Sequence, residues 1–312
     1  MLDYKLLQAL ASVVEQGGFE RAARLLGLSQ SAVSQRIKLL EARVGAPVLL
    51  RASPPMPTEA GQRLLNHVQQ VRLLERDLQH DVPMQGEGDA PPRLRVALNA
   101  DSLATWWADA VAGLCQRQEL LLELLVDDQD VGLRRMRAGE VVGCVCASEQ
   151  PVAGARAIPL GAMRYLAVGH ADFIEHYFAS GVTEATLSKA PAIVFGPDDR
   201  LQHRFLASCG FSGDFPHHLC PSSEGFVRLL CAGLGWGMVP ALQISAELAD
   251  GRLRQLLPGQ HVDVPLYWHY WRSGGQLLEQ LTRQLQQQAP HSLGPIHDGR
   301  IATGQWPGQD AE

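Results

Sequence analysis

The chain lacks any apolar run near the roughly 18 to 20 residues that a membrane-spanning helix needs. Its longest candidates, around Leu120 to Val126 and Ala232 to Leu242, are short, and the second is interrupted by glycine. No basic patch, apolar segment and small-residue cleavage site follow one another at the N-terminus, so a signal peptide is not expected and a cytoplasmic location is. The six cysteines, at 115, 144, 146, 209, 220 and 231, form no C-x-x-C pair and no regular spacing. A zinc site or disulfide framework is thereby disfavoured, and small buried residues in a reducing compartment are expected. Cys144 and Cys146 flank one residue of an expected strand and point the same way, which keeps a thiol-based redox pair open as an alternative.

Catalytic signatures are missing too. There is no G-x-S-x-G elbow, no H-E-x-x-H and no Walker-type phosphate loop. Gly233, Gly235 and Gly237 alternate in a way that suits tight backbone packing and does not satisfy the dinucleotide pattern. The eleven histidines, the adjacent His217 and His218 included, show no metal-ligand spacing. The expectation is a non-enzyme with no metal and no cofactor other than a small-molecule effector.

What the chain does have is enough material for two or three domains: 312 residues, 46% hydrophobic and 19% charged. Its net charge of -6 hides a segregation. Residues 1–63 carry eight basic and five acidic side chains, net +3, whereas the remainder carries 19 and 28, net −9. A small polyanion-facing module attached to a larger domain with another task is the natural reading.

Leu6, Leu10, Val13 and Val14 recur at helical spacing behind Asp3, an expected N-cap, and Gly17-Gly18 closes that helix. Glu20 to Leu26 reads as a second helix, ended by a left-handed Gly27. Ser29 caps a third, which runs to Val44 with Val33, Ile37, Leu40 and Val44 expected inward. Gln30, Ser31, Ser34, Gln35 and Lys38 then form a hydrogen-bonding face. Helix, glycine turn and a second helix with a polar N-terminal end is the helix-turn-helix arrangement for the major groove, where Gln can bond an adenine edge. Arg24, Arg36, Arg43 and Arg51 are placed as phosphate clamps. The prolines at 47, 54, 55 and 57 exclude helix, and Val48 to Arg51 reads as the strand of a wing.

From Thr58 a long helix is expected, with Leu64, Val68, Val71, Leu74 and Leu78 at an average spacing of 3.5 over two heptads. That is the coiled-coil period and predicts a homodimer; packing on its own domain is the competing reading. Residues 82–92, rich in proline and glycine, read as a hinge. Beyond them strands and helices alternate, which implies a parallel α/β sheet. The expected strands are Leu94 to Asn99, Leu120 to Val126, Val141 to Ala147, Tyr165 to Gly169, Ala192 to Phe195, His217 to Cys220, Trp236 to Val239 and Leu266 to Trp271. Helices are expected at Leu103 to Gln118, Val131 to Ala138, Asp172 to Ala179, Leu201 to Ser208, Gly225 to Ala232 and Gly275 to Gln288, with a disordered tail over 290–312.

The segments Phe19 to Ala23, Leu28 to Glu41 and Pro57 to Gly61, followed by Gly139 to Gly143, Gly233 to Pro240 and the strand ending at Arg272, closely resemble the LysR-type transcriptional regulators. Asn99 to Trp106, Ser222 to Val227 and Leu266 to His269 resemble the ArgP/LysG branch of that family, also called the chromosome initiation inhibitor type. The resemblance implies an N-terminal all-α winged helix-turn-helix (1–61), a linker and dimerisation helix (58–81), the hinge and a two-lobed α/β effector domain (93–289) like a periplasmic binding protein. Lobe I would span about 93–164 and 266–289, and lobe II about 165–265. It further implies promoter DNA, a homodimer or tetramer, RNA polymerase as a further partner, no membrane, and control of basic amino-acid export or metabolism. One departure is Met56, where related proteins often carry a second basic residue in the wing.

Ligands of open α/β domains bind at the carboxyl ends of strands, near helix N-termini. Asp101, Ser102 and Thr105 follow the first effector-domain strand, Asp127 and Asp128 follow the second, and Ser222, Ser223 and Glu224 precede a helix of the other lobe. Ser102 and nearby amides suit the carboxylate of lysine or arginine, Asp101, Asp127, Asp128 or Glu224 its cationic ends, and Trp106 its hydrocarbon. Each carboxylate can equally be a helix cap. An architectural or replication-origin DNA-binding protein without an effector is a further alternative.

Overall fold

The structure is a computed structural model that describes residues 2–50, 52–81, 92–126, 131–272 and 274–296. Arg51, Asp127, Asp128 and nearly all of the expected hinge lie outside the described residues.

Helices α1 (Tyr4–Glu15), α2 (Phe19–Leu26) and α3 (Gln30–Val44) form the N-terminal unit. The Asp3 carboxylate accepts the Lys5 N–H at 3.0 Å and the Ser29 hydroxyl accepts the Ala32 N–H at 3.2 Å, satisfying amides that a helix start leaves unpaired. Gly27 (φ 63) and Gly45 (φ 75) end α2 and α3 in the left-handed region. Leu7, Leu10, Val13, Ala22, Val33, Ile37 and Leu40 close into one core. Val44, expected inward, is 37% exposed, because α3 runs past that core before Gly45 ends it.

Strands β1 (Leu49–Leu50) and β2 (Met56–Pro57) pair antiparallel as the wing, and α4 (Glu59–Asp81) follows. The junction is tight: a Cβ at Gly61 would stand 2.0 Å from the Val48 carbonyl oxygen. The Thr58 hydroxyl donates to the Pro47 carbonyl (2.7 Å) and accepts the Gly61 N–H (3.1 Å), fixing where α4 departs. The expected outward seam needs correction here. Val68 is buried and Leu64 packs beside it in the N-terminal core, Val71 is half-buried, and Leu74 alone of the four is largely exposed, at 50%. The side chain of Leu78 lies outside the described residues.

The second unit runs β3 (Arg93–Leu98), α5 (Ala100–Ala104), α6 (Trp107–Gln118), β4 (Leu121–Val126), α7 (Val131–Arg137), β5 (Gly143–Cys146), β6 (Ala155–His170), α8 (Ala171–Phe178), α9 (Glu184–Leu187), β7 (Ala192–Val194), α10 (Leu201–Ser208), β8 (His217–Leu219), α11 (Ser223–Cys231), β9 (Trp236–Pro240), α12 (Ser245–Ala249), β10 (Leu253–Gln255), β11 (Val262–Trp271) and α13 (Gly275–Gln288). One sheet has the order β4-β3-β5-β11-β6-β9-β7-β8, with β10 paired to β6.

The sheet is mixed, not parallel. The pairs of β3 with β4 and β5, and of β7 with β8 and β9, are parallel, whereas β6 and β11 run antiparallel to each other and to their neighbours. These two long strands pass through both halves of the sheet, with a register shift between Leu266 and Tyr267 opposite Gly161 and Pro159. The strands expected at Tyr165 to Gly169 and Leu266 to Trp271 are both longer, and their added parts hold Pro159 and Pro265, each of which lacks a ladder donor. The expected helix Leu103 to Gln118 is broken at Thr105 and Trp106 into α5 and α6.

The tail also departs from expectation in its first residues. Leu293 is buried and Gly294 exchanges backbone hydrogen bonds with Ala162 at 2.7 and 2.9 Å. Gly161 (φ 137) admits this segment, since a Cβ there would meet Leu293 Cβ at 2.6 Å. Residues 297–312 lie outside the described residues. Among the described residues no helix is long and apolar enough to cross a membrane.

Candidate functional site

Two surfaces carry chemistry. On the first, α3 presents Gln30, Ser31, Gln35 and Lys38 to solvent, with Ser34 and Arg36 half-buried among them. Ser31 Oγ lies 2.9 Å from Ser29 Oγ, so the first turn is ordered by its own cap. Val33, Ile37 and Leu40 hold the opposite face in the core, which obliges the polar face to look outward. Arg24 stands exposed on α2, within 3.8 Å of Glu20. A solvated ion pair of that length is weak and leaves the guanidinium free for a phosphate.

The second surface is a cleft of about 330 Å³ between the halves of the sheet. Asp101 enters it from the first turn after β3, Tyr165 from β6, Phe195, Gly196, Asp198 to Leu201 and Arg204 from the turn after β7 and the start of α10, and Ser223 from the N-terminus of α11. The Tyr165 and Ser223 hydroxyls each donate to the Asp101 carboxylate at 2.7 Å. The Gln243 amide oxygen lies 3.0 Å from Ser223 Oγ. Asp199 accepts the N–H groups of Leu201 (2.9 Å) and Phe195 (3.2 Å), which orders the turn and caps α10.

Burial raises the Asp101 pKa above the ordinary carboxylate value, the Tyr165 and Ser223 hydrogen bonds oppose that rise, and the Asp199 charge adds to it. Tyr165 is held well above its usual range by burial and by Asp101, so it stays a donor. Asn99, 5% exposed, lines the cleft with its side-chain oxygen unpartnered. The wall thus holds Asp101, Asp198 and Asp199 against Arg200 and Arg204. That is the chemistry for a ligand with both cationic and anionic ends, with acid in surplus.

Of the sequence-derived effector residues, Asp101 and Ser223 line this cleft and the other described ones do not. Trp106 is buried at 2% exposure against Trp107, whose ring centre is 5.9 Å away; it belongs to the core. Ser102 is fully buried, and the Thr105 hydroxyl donates to the Asp101 carbonyl at 2.6 Å within its own helix. Ser222 caps α11 by accepting the Gly225 N–H (3.1 Å), and Glu224 is exposed in the next turn. Tyr165, Asp199 and Arg204 also line the cleft, without having been expected there. Gly196-Pro197-Asp198-Asp199-Arg200 follows a predicted strand, so the rule that pointed to Asp101 could have found this turn as well.

Cys144 and Cys146 are fully buried on β5, on the face that packs under α7. A hydrogen bond from the Cys144 thiol, together with His269 nearby, holds Cys146 below the usual thiol range and pushes Cys144 up. Neither sulfur is open to an oxidant from solvent. Among the described residues no cluster of His, Cys, Asp and Glu is arranged to hold a metal ion.

Comparison with known proteins gives both units a family. Residues 4–62 match the family model described as the bacterial regulatory helix-turn-helix protein, lysR family, and residues 87–290 match the LysR substrate binding domain. The HTH-type transcriptional regulator ArgP of Pseudomonas fluorescens is 67% identical over 296 residues, covering 95% of this chain and 100% of that protein. Among solved structures, ArgP from Mycobacterium tuberculosis is similar at a TM-score of 0.86 and 37% identity, covering 95% of this chain and 100% of the other. Full-length LysG from Corynebacterium glutamicum with bound effector Arg is similar at 0.77 and 32% identity, covering 94% and 100%.

Proposed function

The chain belongs to the LysR family of bacterial transcriptional regulators, and we propose that it is a cytoplasmic sensor of a basic amino acid, arginine or lysine, that governs amino-acid export or metabolism genes. The N-terminal unit holds promoter DNA through Gln30, Ser31, Ser34 and Gln35 at base edges and Arg24, Arg36, Lys38 and Arg51 at phosphates. Residues 58–81 join it to the effector unit, and the working assembly is a homodimer or tetramer in contact with RNA polymerase.

The observation that carries the effector assignment is Asp101. Half-buried, it is held by two hydroxyl donors and faced by a second carboxylate, Asp199, with no basic side chain among its hydrogen-bond partners in the described residues. A guanidinium or ammonium completes that site and brings the carboxyl back toward its ionised form. Arg204, Arg200 and the turn amides then suit the ligand's own carboxylate. Because Asp101 follows β3 while Asp199 and Ser223 belong to the other half of the sheet, a bound ligand ties the halves together. It regulates to the extent that one assembly binds it better than another.

Calorimetric titration of the full chain with L-arginine, L-lysine and neutral L-norleucine tests this. Saturable binding is expected for at least one basic amino acid and not for norleucine, with Asp101→Asn weakening it on the order of 30-fold or more, as loss of a buried charge partner does. Heat from none of the three would favour the architectural reading instead.

A further inference from the structure

A second cavity, of about 210 Å³, is lined by the start of β6, the end of β11 and α13 from Gly275 to Gln286. Its wall brings together Arg156 from β6, Arg272 just past β11, and Arg283 from α13. Arg156 stands opposite Tyr270 in the β6–β11 ladder, so strand register sets the first guanidinium beside Tyr270. Glu279, one helical turn before Arg283, is the single acid on the wall. Among the described residues none of the three arginines has an ion-pair partner, although Arg272 donates from Nε to the Ala155 carbonyl at 3.3 Å. This occurs in the part of the chain with a surplus of nine acidic residues.

Three guanidiniums from three elements line one concave space, which also takes in the buried Leu278 and Thr282 of α13.

We propose that this pocket binds a small oxyanion carrying at least two negative charges, held by Arg156, Arg272 and Arg283. Concavity favours a small ligand over a flat macromolecular surface, and guanidiniums suit phosphate and carboxylate alike through paired donors. The site is separate from the effector cleft, with which it shares no residue. Its helix, α13, packs against α4, which leads to the DNA-binding unit.

The test is calorimetric titration of the full chain, saturated with arginine, with pyrophosphate and separately with citrate at matched ionic strength. The proposal expects saturable binding of at least one of them at one site per chain; which one binds distinguishes a phosphate from a polycarboxylate ligand. Arg156→Gln with Arg283→Gln should weaken it at least tenfold. Both side chains are exposed, so the fold is not at stake, and unchanged arginine binding checks this. Arg36→Gln, on the DNA-facing helix, should leave anion binding unchanged. Absence of saturable binding for both anions, equal binding by the double variant, or loss in Arg36→Gln would each overturn it.

Discussion

At Asp101 the needs of the ligand and of the fold oppose each other. Its carboxyl is buried without a cation, so its pKa in the folded chain lies above the ordinary value. The folded state therefore binds that proton more tightly than the unfolded state does. Ionising Asp101 costs stability, which is retained below the unfolded carboxylate pKa and lost as pH rises through the folded one. Asn keeps an acceptor for Tyr165 and removes the charge. Asp101→Asn is accordingly expected to melt a few degrees above the wild type at pH 7.5 in the absence of ligand, the scale on which about 1 kcal/mol registers in a domain of this size. The gain should shrink as pH falls toward the ordinary carboxylate range, where the wild-type carboxyl takes up its proton. In the wild type, arginine affinity should rise with pH across the same titration, because the cation requires the carboxylate. Thermal scans and titrations at several pH values read both effects, and a variant that melts lower at pH 7.5 would refute the assigned cost.

At the scale of elements, α3 separates two kinds of contact. Gln35 is exposed on its outer face, and Arg36, one residue on, is half-buried at its side. Gln35→Ala is expected to relax base preference at one position of the operator, by about 1–3 kcal/mol of discrimination. Arg36→Ala should weaken all sequences and lower the salt dependence by about one counterion. Binding assays on an operator and its single-base variants across salt concentrations distinguish them; if Gln35→Ala leaves sequence preference intact, the reading face is misassigned. This element was readable from sequence because its cap, period and closing glycine all lie within 17 residues, Ser29 to Gly45. The crossover strands were not. What makes Ala155 to Pro159 a strand is its partner, Tyr267 to Trp271, more than 100 residues away. The cleft divides in the same manner. Asp101 could be named from the strand before it, whereas Tyr165 lies within β6 and reaches the cleft only because that strand crosses both halves of the sheet.

For the whole molecule, the remaining question is what covers the apolar surface that a single chain leaves open. Three separate regions stand out. Leu74 is 50% exposed on α4, past the point where Val68 enters the N-terminal core. The sheet ends on β4 and β8, whose outer edges are unpaired among the described residues, and there Leu121, Val126 and Leu219 are 42%, 46% and 53% exposed. Unpaired edges bearing aliphatic side chains invite association with another copy unless they are covered. One surface alone can make a closed twofold dimer; two independent ones allow dimers to pair into a tetramer. Since Leu64 and Val68 are engaged inside their own chain, the helix seam is short, and a single charge at Leu74 should suffice to open it. Leu74→Glu is therefore expected to remove one level of association, and Leu121→Lys with Val126→Lys the other, each lowering the mass found by sedimentation equilibrium. Combining all three should give a monomer that still binds arginine, because none of these side chains lines the cleft. Its operator affinity should fall steeply, since two half-sites would then have to be occupied by unlinked chains. A combined variant that keeps the wild-type mass would show that neither surface holds the assembly.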